Sequence, residues 1–219
     1  MPARRDLMSF RAWYRQHRFA TLFAIQMLAI GTHRVLDATV AGGKLLDLLF
    51  GLSLFAAIAS VVEERGMRTL VVLGAAFVVV RGVQEVLGLP ALLAFSESLW
   101  VITCVLATVA TARYALRPGR VDGERIFAAL DVYLLAGLVF SIAYFVIDHA
   151  SPGSFRPDPL MRGDAIYFSF ITIATLGYGD IVPVNGAARG LAMLEAIGGQ
   201  MYLAVLVARM VSLYSKEED

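Results

Sequence analysis

Thr175–Asp180 reads TLGYGD and sits inside the longer stretch YFSFITIATLGYGDIVP, Tyr167–Pro183. An apolar run beginning at Ala165 ends in Gly-Tyr-Gly, followed by Asp180 and Pro183. Neither a helix nor a strand favours that order of residues. Only the first part, about Asp164–Ala174, reads as helix, with Asp164 after Gly163 as the expected N-cap. At a rise of about 1.5 Å per residue, such a helix is about 17 Å long, roughly half the ~30 Å hydrocarbon core of a bilayer. The segment is therefore expected to enter a membrane and turn back. Irregular backbone at that depth requires a protein wall or a water-filled path beside it.

The surrounding chain makes a membrane setting the natural one. Of 219 residues, 58% are hydrophobic, and the formal net charge is only +1. Mean hydropathy is +0.70, well above a typical soluble domain. The apolar runs merge into six expected spans, near residues 18–36, 44–63, 67–88, 91–114, 126–148 and 187–212. Basic residues cluster at one set of span ends. Arg4, Arg5, Arg11, Arg15 and Arg18 precede the first span, and Arg65 and Arg68 follow the second. Arg113, Arg117, Arg120 and Arg125 follow the fourth, and Arg209 and Lys216 end the sixth. The positive-inside rule then puts both termini in the cytoplasm, with the short helix entering from outside. Met8–Phe19 carries Arg11, Arg15 and Arg18 on one helical face and reads as an interfacial helix. A secretory leader is the less favoured reading, because no good cleavage site follows.

The chemistry of TLGYGD is that of cation dehydration. Stripping water from a cation inside a membrane calls for oxygens stacked along one axis. Backbone carbonyls supply these without net charge. Turning successive carbonyls the same way needs alternating backbone conformations, some of them costly for residues with a Cβ. Gly177 and Gly179 give that freedom, and Thr175 adds a hydroxyl oxygen. The short helix would point its negative C-terminal end at the ion path.

These residues resemble the pore loop of potassium channels, whose usual filter reads TVGYGD. With the two flanking spans as outer and inner helices, the resemblance covers about residues 126–214. It implies a homotetramer around one pore. The carbonyls of Thr175, Leu176, Gly177 and Tyr178, with the Thr175 hydroxyl, would coordinate K⁺, and Gly179 would complete the filter. It also implies Asp180 bracing the filter at the outer mouth, and Tyr167 and Phe168 as the aromatic pair of the pore helix. Leu176 stands where valine is usual, and Ala174 where a second threonine is common. By its distance from the filter, Gly199, preceded by Gly198, matches an inner-helix gating hinge; close helix packing by small residues is the equal alternative. Glu195, a carboxylate within a span, is expected to hydrogen-bond the pore helix or filter and tune conduction, or else to be a structural anchor. Gln200 has the same two readings, and Arg189 is expected to anchor the start of the inner helix.

A voltage sensor needs arginines at every third position within one apolar helix. Ser98–Ala112 has none, and Arg113, Arg117 and Arg120 read as a linker broken by Pro118-Gly119. Nothing after Tyr214 is long enough for a ligand-gating domain, so such gating is not expected. Cys104 reads as a small buried apolar residue, and His17, His33 and His149 are too scattered for a metal site. No nucleophile–base pair or phosphate loop suggests an enzyme. The expected fold is an all-α membrane protein of six transmembrane helices with a re-entrant pore helix and filter loop, assembled as a tetramer. Its expected segments are an interfacial N-terminus (1–18), a four-helix domain (19–114), a linker (115–125), a pore domain (126–214) and a short tail (215–219). The expected activity is passive K⁺ conduction across a lipid bilayer without a cofactor or nucleic-acid partner, in a bacterial inner membrane. A weakly selective cation channel and a non-conducting subunit are the alternatives. A K⁺ symporter would need four pore repeats, and this chain has one.

Overall fold

The computed structural model describes residues 17–37, 90–117 and 122–214. The expected spans near 44–63 and 67–88, Arg81, Arg120 and most of the interfacial N-terminus lie outside these residues. The described chain is mainly helical, in the order α1 (Arg18–Asp37), α2 (Pro90–Ala115), α3 (Gly123–Ala150), β1 (Phe155–Arg156), α4 (Arg162–Ile173), β2 (Val182–Pro183) and α5 (Gly186–Tyr214). Two of these helices, α3 and Gly186–Val211 of α5, are long and apolar enough to cross a membrane. The chain divides into two compact units, Met1–Val132 and Tyr133–Asp219.

In the first unit, buried residues recur at helical spacing. They are Phe19, Leu22, Gln26 and Ala29 on α1, and Cys104, Ala107, Thr111 and Ala115 on α2. The first turn of an α-helix leaves its amides without helical partners. Glu124 supplies them for α1, its Oε2 accepting from the Phe19 amide at 2.9 Å and its Oε1 from the Ala20 amide at 3.5 Å. Phe19 stacks on Tyr114 at 4.6 Å, and the Arg18 guanidinium lies over the Tyr114 ring at 5.0 Å. Asp122 caps the start of α3, its Oδ1 accepting from the Arg125 amide at 3.0 Å. These contacts bind the start of α3 to α1, and the division between units falls within α3.

The second unit is built around a short helix. At about 1.5 Å per residue, the 12 residues of α4 make a rod of about 18 Å. It begins at Arg162 with Met161 at the N-cap position and no side-chain cap bond. This corrects the expectation that Asp164 is the cap: Asp164 stands within the first turn, where its charge complements the helix dipole. Before α4, Asp148 pins the connecting loop, accepting from the Ser154 amide at 3.1 Å and the Leu160 amide at 2.9 Å. After it, β2 returns antiparallel to β1, with Phe155 opposite Pro183 and Arg156 opposite Val182. Asn185 caps α5, its Oδ1 accepting from the Ala188 amide at 2.7 Å. Arg189 donates from Nε to the Pro183 carbonyl at 3.1 Å, tying the first turn of α5 to the returning strand. The core beneath consists of Tyr144, Phe155, Leu160, Ala165, Phe168, Ile181 and Ala188. Three rings meet edge to face: Tyr144–Phe168 at 4.9 Å, Phe155–Phe168 at 5.3 Å and Tyr144–Phe155 at 5.6 Å. The backbone between α4 and β2 is thereby held at both ends.

Candidate functional site

That backbone is Ala174–Ile181. Ala174 ends α4 in a helical conformation, with its amide donating to the Phe170 carbonyl at 3.1 Å. The chain then alternates. Thr175 has φ 58°, Gly177 φ 53° and Gly179 φ 80°, whereas Leu176 and Tyr178 keep negative φ. Alternation of hand at successive residues turns consecutive peptide planes so that their carbonyls can share one side of the strand. The glycines adopt the left-handed values at little cost. Thr175 does not, since a β-branched residue at positive φ costs about 1–3 kcal/mol and persists only where the surroundings impose it. The surroundings here are the last turn of α4. The Thr175 amide donates to the Thr172 carbonyl at 2.9 Å, and the Leu176 and Gly177 amides converge on the Ile171 carbonyl at 2.8 and 3.2 Å. The left-handed Thr175 went unforeseen, because the motif points only to its glycines.

Residues 174–180 are all exposed in the single chain. Leu176 is 57% exposed and Tyr178 68%. Asp180 is exposed as well, and its Oδ1 accepts from the neighbouring Ile181 amide at 3.1 Å. In one chain, then, the loop presents its backbone and its aromatic ring outward, with the Thr175, Leu176 and Gly177 amides bonded to the last turn of α4.

Behind α4 the pattern reverses, with polar side chains buried and paired. Glu195 is fully buried on α5. Its Oε2 accepts from the Tyr144 hydroxyl of α3 at 2.5 Å, and its Oε1 lies 2.5 Å from the Ser169 hydroxyl of α4. Ser169 is also 2.6 Å from the Gly137 carbonyl. Glu195 thus joins all three helices of the unit behind the loop. One turn on, Gly199 meets the end of α4: a Cβ there would stand 2.6 Å from Ile173 Cγ1 and 3.1 Å from its carbonyl oxygen. Nothing lies within 4 Å of the corresponding point at Gly198. Gly199 is therefore a close-packing position in this structure, whatever bending α5 undergoes elsewhere. Tyr133 of α3 donates to the Ile173 carbonyl at 2.9 Å, and its ring stacks near Tyr202 of α5 at 6.4 Å. Gly137 leaves room for Phe170, whose ring would lie 2.8 Å from an added Cβ.

Of the residues singled out from sequence, Phe168 and Glu195 are brought together around Tyr144. Tyr167 packs partly buried against the same core. Asp180 and Gln200 are exposed and stand apart from that network. Sequence reasoning missed Tyr133, Tyr144, Ser169 and Gly137. A hydroxyl in an apolar span was the available signal, but it does not name its partner on another helix.

Comparison with known proteins bears on the same region. A family model described as ion channel matches residues 128–216. The inward rectifier potassium channel Kirbac3.1 of Paramagnetospirillum magnetotacticum is 36% identical over 89 residues, which cover 39% of this chain and 28% of that protein. Protein LctB of Bacillus caldotenax is 31% identical over 124 residues, covering 52% of this chain and 92% of LctB. Two pore potassium channel c of Oryza sativa subsp. japonica is 33% identical over 86 residues, 37% of this chain and 18% of that protein. The chain thus spans under a third of the named potassium channels and nearly all of LctB. No solved structure matches it.

Proposed function

Because this chain belongs to the potassium channel family, we propose that it is a passive K⁺-selective channel formed by four copies around one pore. The observation that carries the reading is the left-handed backbone at Thr175, Gly177 and Gly179, alternating with Leu176 and Tyr178 at negative φ. In a tetramer, each chain would offer the carbonyls of Thr175, Leu176, Gly177 and Tyr178 and the Thr175 hydroxyl to the axis. Rings of such oxygens replace the hydration shell of the passing ion. The exposure of the whole loop in one chain supports this reading, since neighbouring copies would cover Tyr178 and hold the ring's width. So does α5, whose Met193, Leu194, Ile197, Met201 and Val205 are apolar and exposed. Such a face calls for lipid or other copies of the chain.

In this reading Glu195, Tyr144 and Ser169 are the buried support that fixes α4 and hence the filter. Asp180 stands at the outer mouth, where it can reach a neighbouring copy or water. Gly199 sets the spacing of α5 from the filter's base, and Gly198 is the freer point about which α5 can bend. The protein is a membrane protein; a bacterial inner membrane with both termini cytoplasmic accords with its arginine distribution.

Reconstitution in liposomes tests the proposal. K⁺ flux blocked by Ba²⁺, without Na⁺ flux, is the expected result. Flux of both ions would replace it with a weakly selective pore. Absence of both fluxes in a preparation shown by cross-linking to be tetrameric would favour a non-conducting subunit.

A further inference from the structure

A second polar centre belongs to the first unit and uses none of the residues of the filter or its support. Among the described residues, the buried side-chain atoms without a hydrogen-bond partner belong to Gln26, Thr111 and Asp131. All three residues have zero exposure. They come from three helices: Gln26 from α1, Thr111 from α2 and Asp131 from the start of α3. Each occupies the buried stripe of its helix, between apolar neighbours such as Leu22 and Ala29, Ala107 and Ala115, and Ala128 and Leu135.

Register brings them together. Phe19 contacts both Tyr114 and Glu124, so α2 ends at the level where α1 and α3 begin. The Phe23–Phe127 ring contact at 5.8 Å one turn on shows α1 and α3 running in the same direction from that level. Gln26 is seven residues past Phe19, and Asp131 is seven past Glu124. At about 1.5 Å per residue, both stand about 10 Å along the bundle. Thr111 is three residues before Tyr114 and so about 5 Å along. Helical side chains lean towards the N-terminus of their own helix. Gln26 and Asp131 therefore lean back towards the shared level, and Thr111 leans away from it, which puts the three groups at a similar level along the bundle.

A carboxylate alone among apolar side chains is strongly disfavoured, and polar groups within a membrane mark sites that bind or move charge. Among the described residues, the neighbouring charges are engaged. Glu124 accepts from the Phe19 and Ala20 amides, Arg18 and Arg117 lie over the Tyr114 ring, and Arg125 donates to the Arg117 carbonyl. Carboxylate, amide and hydroxyl oxygens together form a hard donor set with one negative charge. We propose that Gln26, Thr111 and Asp131 form a binding site for one monovalent cation inside the first unit, with Asp131 balancing its charge. The cation is a proton or an alkali ion. The site shares no residue with the filter and stands whether or not the pore conducts.

Infrared difference spectroscopy of the full chain in lipid nanodiscs tests this in its carboxyl region. One series steps the pH in constant salt. A second replaces Na⁺ and K⁺ by N-methylglucamine at constant pH. A carboxyl band that responds in one series is expected, lost in Asp131→Asn and retained in Glu195→Gln. Response to pH alone identifies the proton as occupant; response to alkali removal identifies the metal cation. Should Asp131→Asn fail to assemble, Gln26→Leu retains the carboxylate and is expected to shift the midpoint of the response about tenfold in cation concentration. Spectra of wild type and Asp131→Asn that superimpose in both series would overturn the site, as would an unmoved midpoint in Gln26→Leu.

Discussion

The loop Thr175–Gly179 and the layer behind it solve opposite problems with opposite means. The loop is exposed in the single chain and takes its shape from backbone dihedrals. The layer behind it is buried and takes its shape from side-chain contacts linking α3, α4 and α5. A backbone device depends on which residues tolerate positive φ. A side-chain device depends on every donor and acceptor finding its partner. Substitutions in the two regions should therefore fail differently, the first in ion discrimination and the second in the stability of the loop.

The largest effect is expected at Gly177, whose φ is 53° with open space around the missing Cβ. Gly177→Ala meets no clash, so its penalty is conformational, about 1–2 kcal/mol in each chain. Four chains closing one ring would multiply it, and the cheapest escape is to flip the peptide and withdraw a carbonyl from the axis. The K⁺-over-Na⁺ flux ratio in liposomes should fall by about two orders of magnitude, equivalent to about 2.7 kcal/mol. Tetramer assembly, read by cross-linking, should survive. Unchanged selectivity would sever the link between backbone hand and function.

Glu195 comes next and separates charge from hydrogen bonding. The Ser169 hydroxyl has one proton and two oxygens within reach, those of Gly137 and Glu195. An amide at position 195 can donate to Ser169 and still accept from Tyr144. Glu195→Gln should therefore keep K⁺ flux near wild type. Glu195→Ala strands the buried Tyr144 hydroxyl, at a cost of about 1–3 kcal/mol, and leaves the Ser169 hydroxyl to the Gly137 carbonyl alone. Faster loss of current during sustained conduction and a lower tetramer melting temperature are expected. Equal damage from both variants would mean that the negative charge itself is required.

The same contrast explains what could be read in advance. The short helix, the turn after it and the two flanking helices were legible, because glycines, Pro183 and long apolar runs act locally. The described helices begin and end within a few residues of the expected spans near 18–36, 91–114, 126–148 and 187–212. Glu195 drew notice because a carboxylate in an apolar run is conspicuous. Its partners did not: Tyr144 and Ser169 lie 51 and 26 residues away in sequence. A hydroxyl inside a helix reads the same whether it bonds its own turn or a neighbouring helix. The left-handed Thr175 was hidden for a related reason, since the contacts that impose it come from the preceding helical turn. The packing of Gly199 on Ile173 likewise needed the second helix in view.

Gly198 and Gly199 give a smaller effect and a sharper discrimination. An Ala side chain at 199 must displace Ile173 or the carbonyl that Tyr133 holds, an overpacking cost of about 1–3 kcal/mol. At 198 it meets nothing, and its cost as a helix residue is nil or favourable. If packing dominates, Gly199→Ala lowers tetramer melting temperature and perturbs selectivity, and Gly198→Ala alters neither. If bending dominates, single-channel records of both variants show a lower open probability with selectivity intact.

The smallest effect is expected from the arginines that follow α2. Moving one elementary charge across the membrane is worth about 2.3 kcal/mol per 100 mV, so even one sensing arginine would make opening visibly voltage-dependent. Such a residue must lie where the field falls, within the apolar span. From Val101 to Ala112 no basic residue occurs. Arg113 stands exposed in the last turn of α2, and Arg117 lies over the Tyr114 ring at 5.9 Å, at the level where α1 and α3 start. These positions suit a charged belt at a helix end. Replacing Arg113, Arg117 and Arg120 together by Gln should leave the slope of the conductance–voltage relation unchanged. The cost in stability is about 0.5–1 kcal/mol, from the lost cation–π contact. A clear flattening of that slope would mean that these arginines lie within the field, and that the first unit senses voltage through its helix ends.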